Sequence, residues 1–336
     1  MSLARYGLTK HPFKDVFRTT LKAPRDQDYF ATVDGFAKAQ DVLPAWFVAH
    51  GQADQPRFFV LRGNEKAGQS SVASYIEFLH LNSLTPRLRA QPAPIAPRLL
   101  TVTTTVTHES DPEIIQWWMS MLYKELNIHQ IALLSDTKRE LLQLAGIPPK
   151  DLPTTPMAFG EVMSHIVTGL SKIGVFVVAI FDKVKHESLY RFCEGVFYLG
   201  SPLIVFIEHN QIDRQGNLLS MSGGSNSGQT VWPAEEFGLS IDFGGLHPDE
   251  TLTLIKHCWN AAYSPNPATP QPFDELYTVA FIGYAQTSIG LTVRTLEALL
   301  DHKLTRIAAQ GPLWPQDQTL AITVEDIRDY LRTRRI

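Results

Sequence analysis

Two stretches of almost unbroken apolar residues, GVFVVAIFD at 174–182 and PLIVFIEHN at 202–210, constrain the fold of this chain more than any other feature in it. A strand that is apolar at every position has no face to offer water, so both faces need cover, and the common solution is a parallel sheet between layers of helix. The intervening segment ESLYRFCEGVFYL has helical spacing. The same alternation recurs upstream. RFFVLR at 57–62 is a short apolar run that leads into the amphipathic stretch GQSSVASYIEFLHL. RLLTVTTTV at 98–106 is β-branched and is followed by DPEIIQWWMSMLYKELNI, in which Asp111 reads as the cap and Pro112 as the first helical position. TPMAFGEVMSHIVTGLSK predicts a further helix. Strands separated by helices specify an α/β fold whose crossovers are right-handed.

Two segments interrupt this order. TPRLRAQPAPIAP at 85–97 is proline-rich and reads as an extended connector, and SMSGGSNSGQT at 220–230 reads as a mobile one. Beyond it the pattern becomes helix after helix: HPDETLTLIKHCWNAAY, PFDELYTVAFIGYA, GLTVRTLEALLDHKLTRIAAQ and TVEDIRDYLRTRR, the last opened by a cap-like Thr323 with Glu325 and Asp326. The expected organisation is a basic and helical N-terminal extension at 1–56, an α/β core at 57–244 and a small all-helical lid at 245–336.

With 336 residues, 44% of them hydrophobic and 19% charged, the composition is that of a globular protein. A net charge of −4 excludes nucleic-acid binding through uniform positive charge and leaves only local basic patches for it. Cys193 and Cys258 stand far apart without metal-ligand spacing, which argues against a disulfide framework or a zinc site. No secretory, membrane-spanning or lipidation pattern is present in the sequence, so the expected location is the cytoplasm, with no membrane partner. Of Trp117 and Trp118, adjacent on one helix, at least one is expected in the core. The histidines, His108 and His186 included, are scattered and do not form a metal cluster.

The turn after RFFVLR reads RGNEKAGQSS. A phosphate-binding loop has the form GxxxxGKS or GxxxxGKT: backbone N–H groups cradle phosphate oxygens, the lysine neutralises the β and γ phosphates, and the hydroxyl holds Mg²⁺. Gly63 and Gly68 stand at the required separation, with Ser70 and Ser71 following, but Gln69 fills the lysine slot. An amide supplies dipoles and no charge. Lys66, inside the loop, stands three residues before that slot and does not replace it.

Taken together, YGLTKHPF, APRDQDYFATVDGFAKAQDVL, the glycine loop, DPEIIQWWMSMLYKEL, the strand ending at Asp182, LIVFIEHNQ and the helical tail resemble an AAA+ ATPase. The nearest subgroup is the bacterial ATPases of ExeA type (secretion) and TniB type (transposition). In the tail, FGGLHPDETLTLIKHCWNAA is similar to the start of the family's lid, GLTVRTLEALLDHKL to its sensor-2 helix and ITVEDIRDYL to its last helix. The resemblance covers nearly the whole chain. It implies a three-layer P-loop sheet with helices on both faces and a C-terminal helical lid. It also implies nucleotide contacts from Gly63, Gly68, Gln69, Ser70, Ser71, Asp182, a sensor-1 residue at Asn210 and a sensor-2 residue at Arg294. Ser70 and Asp182 would hold Mg²⁺ if nucleotide binds.

The sequence departs from that family at three points. Gln69 replaces the lysine; Lys183, in FDKV, replaces the glutamate that positions the attacking water; and VWPAEEFGLSID has no arginine finger before the lid. A cation cannot accept the proton of water. ATP hydrolysis is therefore expected to be absent or very weak, and no cofactor is expected, with ATP and Mg²⁺ as the alternative. The favoured reading is a catalytically degenerate AAA+-like scaffold or adapter that works through a protein partner, such as an active AAA+ ATPase or further copies of itself, in a DNA-linked mobile-element or defence complex. The alternatives are an ATP-binding switch and a weak ATPase completed by a neighbouring subunit. Arg5, Lys10, Lys14, Arg18, Lys22 and Arg25, against Asp15, give the N-terminus the positive charge that a DNA contact needs, and Arg332, Arg334 and Arg335 close the chain.

Overall fold

The computed structural model describes residues 3, 8–14, 33–51, 57–108, 110–185, 187–198, 202–209, 211–212, 218–219, 238–262, 289–310 and 322–333. In chain order the elements are α1 (Asp34–His50), β1 (Arg57–Gly63), α2 (Gln69–Arg89), β2 (Arg98–Thr105), α3 (Asp111–Ile128), α4 (Ser135–Gly146), α5 (Pro156–Ser171) and β3 (Val175–Val184). They continue with α6 (Ser188–Phe197), β4 (Leu203–His209), β5 (Gln211–Ile212), β6 (Leu218–Leu219), β7 (Gly238–Phe243), α7 (Pro248–Ala261), α8 (Ile289–Gln310) and α9 (Val324–Thr333). Among the described residues two compact units form, a sheet unit from those of 41–63 and 72–242 and a second unit from those of 1–40, 64–71 and 243–336.

The sheet has the strand order β2-β3-β4-β1-β7, and the pairs β2/β3, β3/β4 and β4/β1 are parallel. Alternation along each strand decides which layer it meets. Phe58, Val60, Leu100, Val102, Val177, Ala179, Phe181, Ile204 and Phe206 face one side and join the apolar faces of α3, α5 and α6 in one buried cluster. The other side meets α1 and α2. There Phe59 packs against Trp46 and Phe47 at ring distances of 4.8 and 5.7 Å, Phe176 meets the His80 ring edge-on at 6.4 Å, and the Thr101 hydroxyl donates to Glu77 at 2.6 Å. The expected α/β three-layer architecture, with helices on both faces, is thus present. At the start of β1 the buried Arg57 guanidinium donates to the Gly51 carbonyl and to Nδ1 of His80, each at 2.8 Å. Burial, reinforced by the Arg57 charge, pushes the His80 pKa down to about 3, so the ring stays neutral and can accept.

Two local expectations are corrected. Residues 85–89 are helical, because α2 runs through Pro86 to Arg89. The Thr85 hydroxyl donates to the Leu81 carbonyl at 2.8 Å, and buried Leu84 and Leu88 hold the last turns against the core despite the donor that proline lacks. The cap of α3 is Ser110 rather than Asp111, and Glu113 accepts from both its backbone N–H and its hydroxyl, at 3.2 and 2.8 Å. Helix α4 has no counterpart in the sequence reading; of its twelve residues only Thr137 and Leu141 are buried, so its apolar periodicity is faint. Trp118 is fully buried, with its indole N–H on the Val102 carbonyl at 3.3 Å, while Trp117 is 48% exposed, which agrees with one of the pair in the core.

In the second unit α7, α8 and α9 form the described part of the C-terminal helices, and PFDELYTVAFIGYA lies outside the described residues. The expected capped start holds: Thr323 donates to Asp326 through its backbone N–H at 2.8 Å and its hydroxyl at 2.9 Å. The same carboxylate takes Lys303 and Arg306 of α8, each at 2.7 Å, tying α9 to α8. Thr9 donates to the Ala262 carbonyl at the end of α7 through both its N–H and its hydroxyl at 3.0 Å, so the N-terminal segment belongs to this unit. Among the described residues no helix is long and apolar enough to cross a membrane, and no group of three or more His, Cys, Asp or Glu is placed to hold a metal.

Candidate functional site

β1 ends at Gly63, the chain turns through Asn64 to Gly68, and α2 begins at Gln69. Two residues of the turn have left-handed backbone, Lys66 at φ 67° and Gly68 at φ 110°. Glycine is required at the second, where a Cβ would also stand 2.6 Å from the tip of the Phe36 ring. That ring in turn meets Phe243 edge-on at 6.1 Å. The Ala67 N–H donates to the Asn64 carbonyl at 3.1 Å, and the Ser71 N–H to the Gly68 carbonyl at 2.9 Å. Gln69, in the lysine slot, is only 2% exposed, and its Nε2 donates to the Asn64 carbonyl at 3.0 Å. This side chain is a brace across its own loop. Outside the loop, the Lys66 carbonyl accepts from the Gly290 N–H in the first turn of α8 at 2.7 Å. Ser70 and Ser71 occupy the first turn of α2, with Ser70 exposed.

In the sheet unit, Asp182 stands near the C-terminal end of β3, and Nε2 of His209, the last residue of β4, meets its Oδ1 at 2.9 Å. Burial raises the Asp182 pKa, but the His209 hydrogen bond and charge, with the N–H and ammonium of Lys183, outweigh it and hold the carboxyl below its ordinary value. Lys183 is exposed, with left-handed backbone at φ 62°, and the register against β4 shifts there: Asp182 pairs with Ile207 and Val184 with Glu208. Beside this pair, Arg62 of β1 and Glu208 of β4 are register partners and bridge at 3.0 Å, with both side chains 14% exposed. The carboxyl ends of three adjacent parallel strands thus carry an Asp–His hydrogen bond and an Arg–Glu ion pair, at the edge where ligands of open α/β sheets bind.

A third polar group lies in the second unit, at the start of α1. Asp34, with φ 43°, accepts from the N–H groups of Gly244 at 2.8 Å and Gly245 at 3.1 Å, while its own N–H donates to Glu250 at 2.9 Å. The other Glu250 oxygen caps α7 by accepting from the His247 N–H at 2.8 Å. Burial raises the Asp34 pKa against the lowering effect of the two glycine N–H groups.

Of the residues expected at the site, Gly68, Gln69, Ser70, Ser71 and Arg294 belong to the second unit, and Gly63 and Asp182 to the sheet unit. Arg294 is on an exposed position of α8, four residues beyond Gly290. Asn210 lies outside the described residues, as does most of VWPAEEFGLSID. Sequence reasoning missed His209, Arg62, Glu208, Phe36 and the Asp34–Glu250 group. A lone histidine beside an asparagine gave no signal, whereas Arg62 and Glu208, each near the end of an apolar strand, could have been paired once the strand order was known.

The fold is a three-layer α/β fold built on parallel strands. No family model matches the chain, and no curated protein matches it. Among solved structures, the ORC2 protein of Aeropyrum pernix in its ADPNP-ADP complexes superposes with a TM-score of 0.48 at 8% identity, over 95% of this chain and 71% of that one. The ORC1 protein of Aeropyrum pernix in complex with DNA gives 0.44 at 12% identity, over 96% and 68%, and the ADP form of ORC2 gives 0.44 at 10%, over 88% and 66%. Likeness of this degree says nothing about what this chain binds.

Chemically, backbone N–H groups at the start of a helix favour an anion, and the loop opening α2 offers them. Gln69 brings no charge, the Asp182 carboxylate is already engaged by His209, and Lys183 cannot act as a base.

Proposed function

We propose that this chain is an AAA+-like protein, related to the ATPases of ExeA and TniB type, that keeps the P-loop fold as a scaffold, acts through a protein partner and does not hydrolyse ATP. The observation that carries this reading is Gln69: the residue in the lysine slot is buried and hydrogen-bonded to the Asn64 carbonyl of its own loop. The Gly290 N–H on the Lys66 carbonyl supports it, because the loop is fixed by its own protein neighbours. Lys183 supports it independently, with an exposed ammonium where hydrolysis needs a carboxylate. Losing a charged contact to phosphate weakens binding by roughly 1.5–3 kcal/mol per bond, enough to move a micromolar site towards millimolar.

Titration calorimetry of the full chain with Mg·ATP tests the reading, the expected result being no binding in the micromolar range. Micromolar binding would return the protein to the class of nucleotide switches. Steady phosphate release abolished by Asp182→Ala would make it an ATPase. Contact with DNA, which the sequence ties to the basic N-terminal run, is the lesser part of this reading; Arg5, Arg18, Lys22 and Arg25 lie outside the described residues.

A further inference from the structure

At the edge of the sheet where the strands begin, four segments of the sheet unit come together. The Ile95 N–H donates to the Leu88 carbonyl at 3.3 Å, which folds the connector back on the end of α2. Gly174 has φ 77°, and a Cβ there would stand 2.3 Å from Ile95, so the connector lies directly on the turn before β3. The Arg98 N–H donates to the Gly174 carbonyl at 2.9 Å, and the Arg98 guanidinium donates to Nδ1 of His129 at the end of α3 at 2.8 Å.

These contacts gather charge of one sign. Segments 86–98, 124–130 and 171–175 contain Arg87, Arg89, Arg98, Lys124 and Lys172, all exposed, against a single acid, Glu125, which faces His129 at 3.6 Å. Cations at helix C-termini complement the helix dipole, which accounts for Arg87 and Arg89 on α2. It does not account for Arg98, which opens a strand. In a chain of net charge −4, a patch of this sign is a local concentration. Two large apolar side chains lie in the same segments, Ile128 at 58% and Ile173 at 54% exposure. Arginine and exposed aliphatic side chains together are the composition of a protein-binding surface, whereas a surface for a phosphate backbone needs only cations.

We propose that this edge, centred on Arg89, Arg98, Lys172 and Ile173, docks an acidic protein segment with interspersed aliphatic residues. The site is separate from the glycine loop and stands whether or not nucleotide binds there. The test is fluorescence anisotropy of the full chain with a labelled peptide of repeating Glu-Glu-Leu, compared with polyglutamate and a short DNA duplex. The expected result is binding of the Glu-Glu-Leu peptide that weakens at least about tenfold in the triple variant Arg89→Glu, Arg98→Glu, Lys172→Glu. Lys150→Glu, an exposed position outside these segments, should leave it unchanged. Ile173→Ser should weaken the Glu-Glu-Leu peptide and leave polyglutamate unaffected. Arg89→Gln with Lys172→Gln serves as a milder pair if the triple variant unfolds, and should show a smaller loss in the same direction. Absence of peptide binding, equal binding by the variants, or tighter binding of the duplex than of the peptide overturns the proposal.

Discussion

The backbone N–H of Gly290 donates to the carbonyl of Lys66 at 2.7 Å, fastening the first turn of α8 to the glycine loop. Gly290→Pro removes that donor at the second helical position, which proline already occupies in α3 as Pro112. Gly290→Ala adds carbon and keeps the donor. The proline variant should be less stable than the alanine variant by about 1 kcal/mol, read from denaturant midpoints. Equal midpoints would mean that the contact contributes nothing.

Gln69→Lys places a cation in the slot that Gln69 fills. The lysine gives up the hydrogen bond to the Asn64 carbonyl, so stability should fall by about 1 kcal/mol, while affinity for Mg·ATP should rise by about tenfold or more in calorimetry. On the proposed reading phosphate release should stay absent, because the Lys183 ammonium cannot act as a base. A variant that binds no better than the parent would show that the cradle itself has lost its shape.

Asp182 and Asp34 should respond to acid in opposite directions. The Asp182 pKa is lowered below its ordinary 3.8, so its ionised form stabilises the fold at and above that pH, and the contribution is lost as pH falls through the folded value. The stability gap between parent and Asp182→Asn should close with acidification below about 3.8. The Asp34 pKa is raised, so its contribution is fully present below 3.8 and fades as pH rises through the folded value; Asp34→Asn should therefore gain on the parent as pH rises. Unfolding midpoints across an acidic pH series measure both slopes.

The Asp326 carboxylate sits between Lys303 and Arg306 at 2.7 Å from each, and the Lys303 and Asp326 side chains are 7% and 4% exposed. Asp326→Ala removes the carboxylate and leaves a buried ammonium without it, which should cost about 3–5 kcal/mol. Thermal unfolding of the variant, compared with that of the exposed-site change Arg139→Ala, checks this; losses of similar size would show that the α8–α9 tie is dispensable.

Much of the fold was legible because β1, β3 and β4 are apolar along nearly their whole length, and a buried parallel strand writes itself into sequence in that way. The end of α2 was misread because Pro86 normally stops a helix, and the burial of Leu84 and Leu88 that carries it onward is a tertiary effect. The chemistry of the loop was half legible. Gln69 in the lysine slot is plain in the sequence, but its recipient is a backbone carbonyl, as is the recipient of Gly290, and carbonyls have no residue type to read. His209 was hidden for a related reason: its role comes from the register that sets β4 beside β3, which no local pattern encodes.

The bulge at Lys183 frees that position from the demands of packing. Val175, Val177, Ala179 and Phe181 alternate into the buried cluster, and strict alternation would send the ammonium of residue 183 in after them; Val184 goes there instead. Any residue that tolerates left-handed backbone can therefore stand at 183 without disturbing the interior, asparagine and glycine most comfortably. The tip of β3 is a place where this lineage could exchange one chemistry for another while its folding stayed untouched.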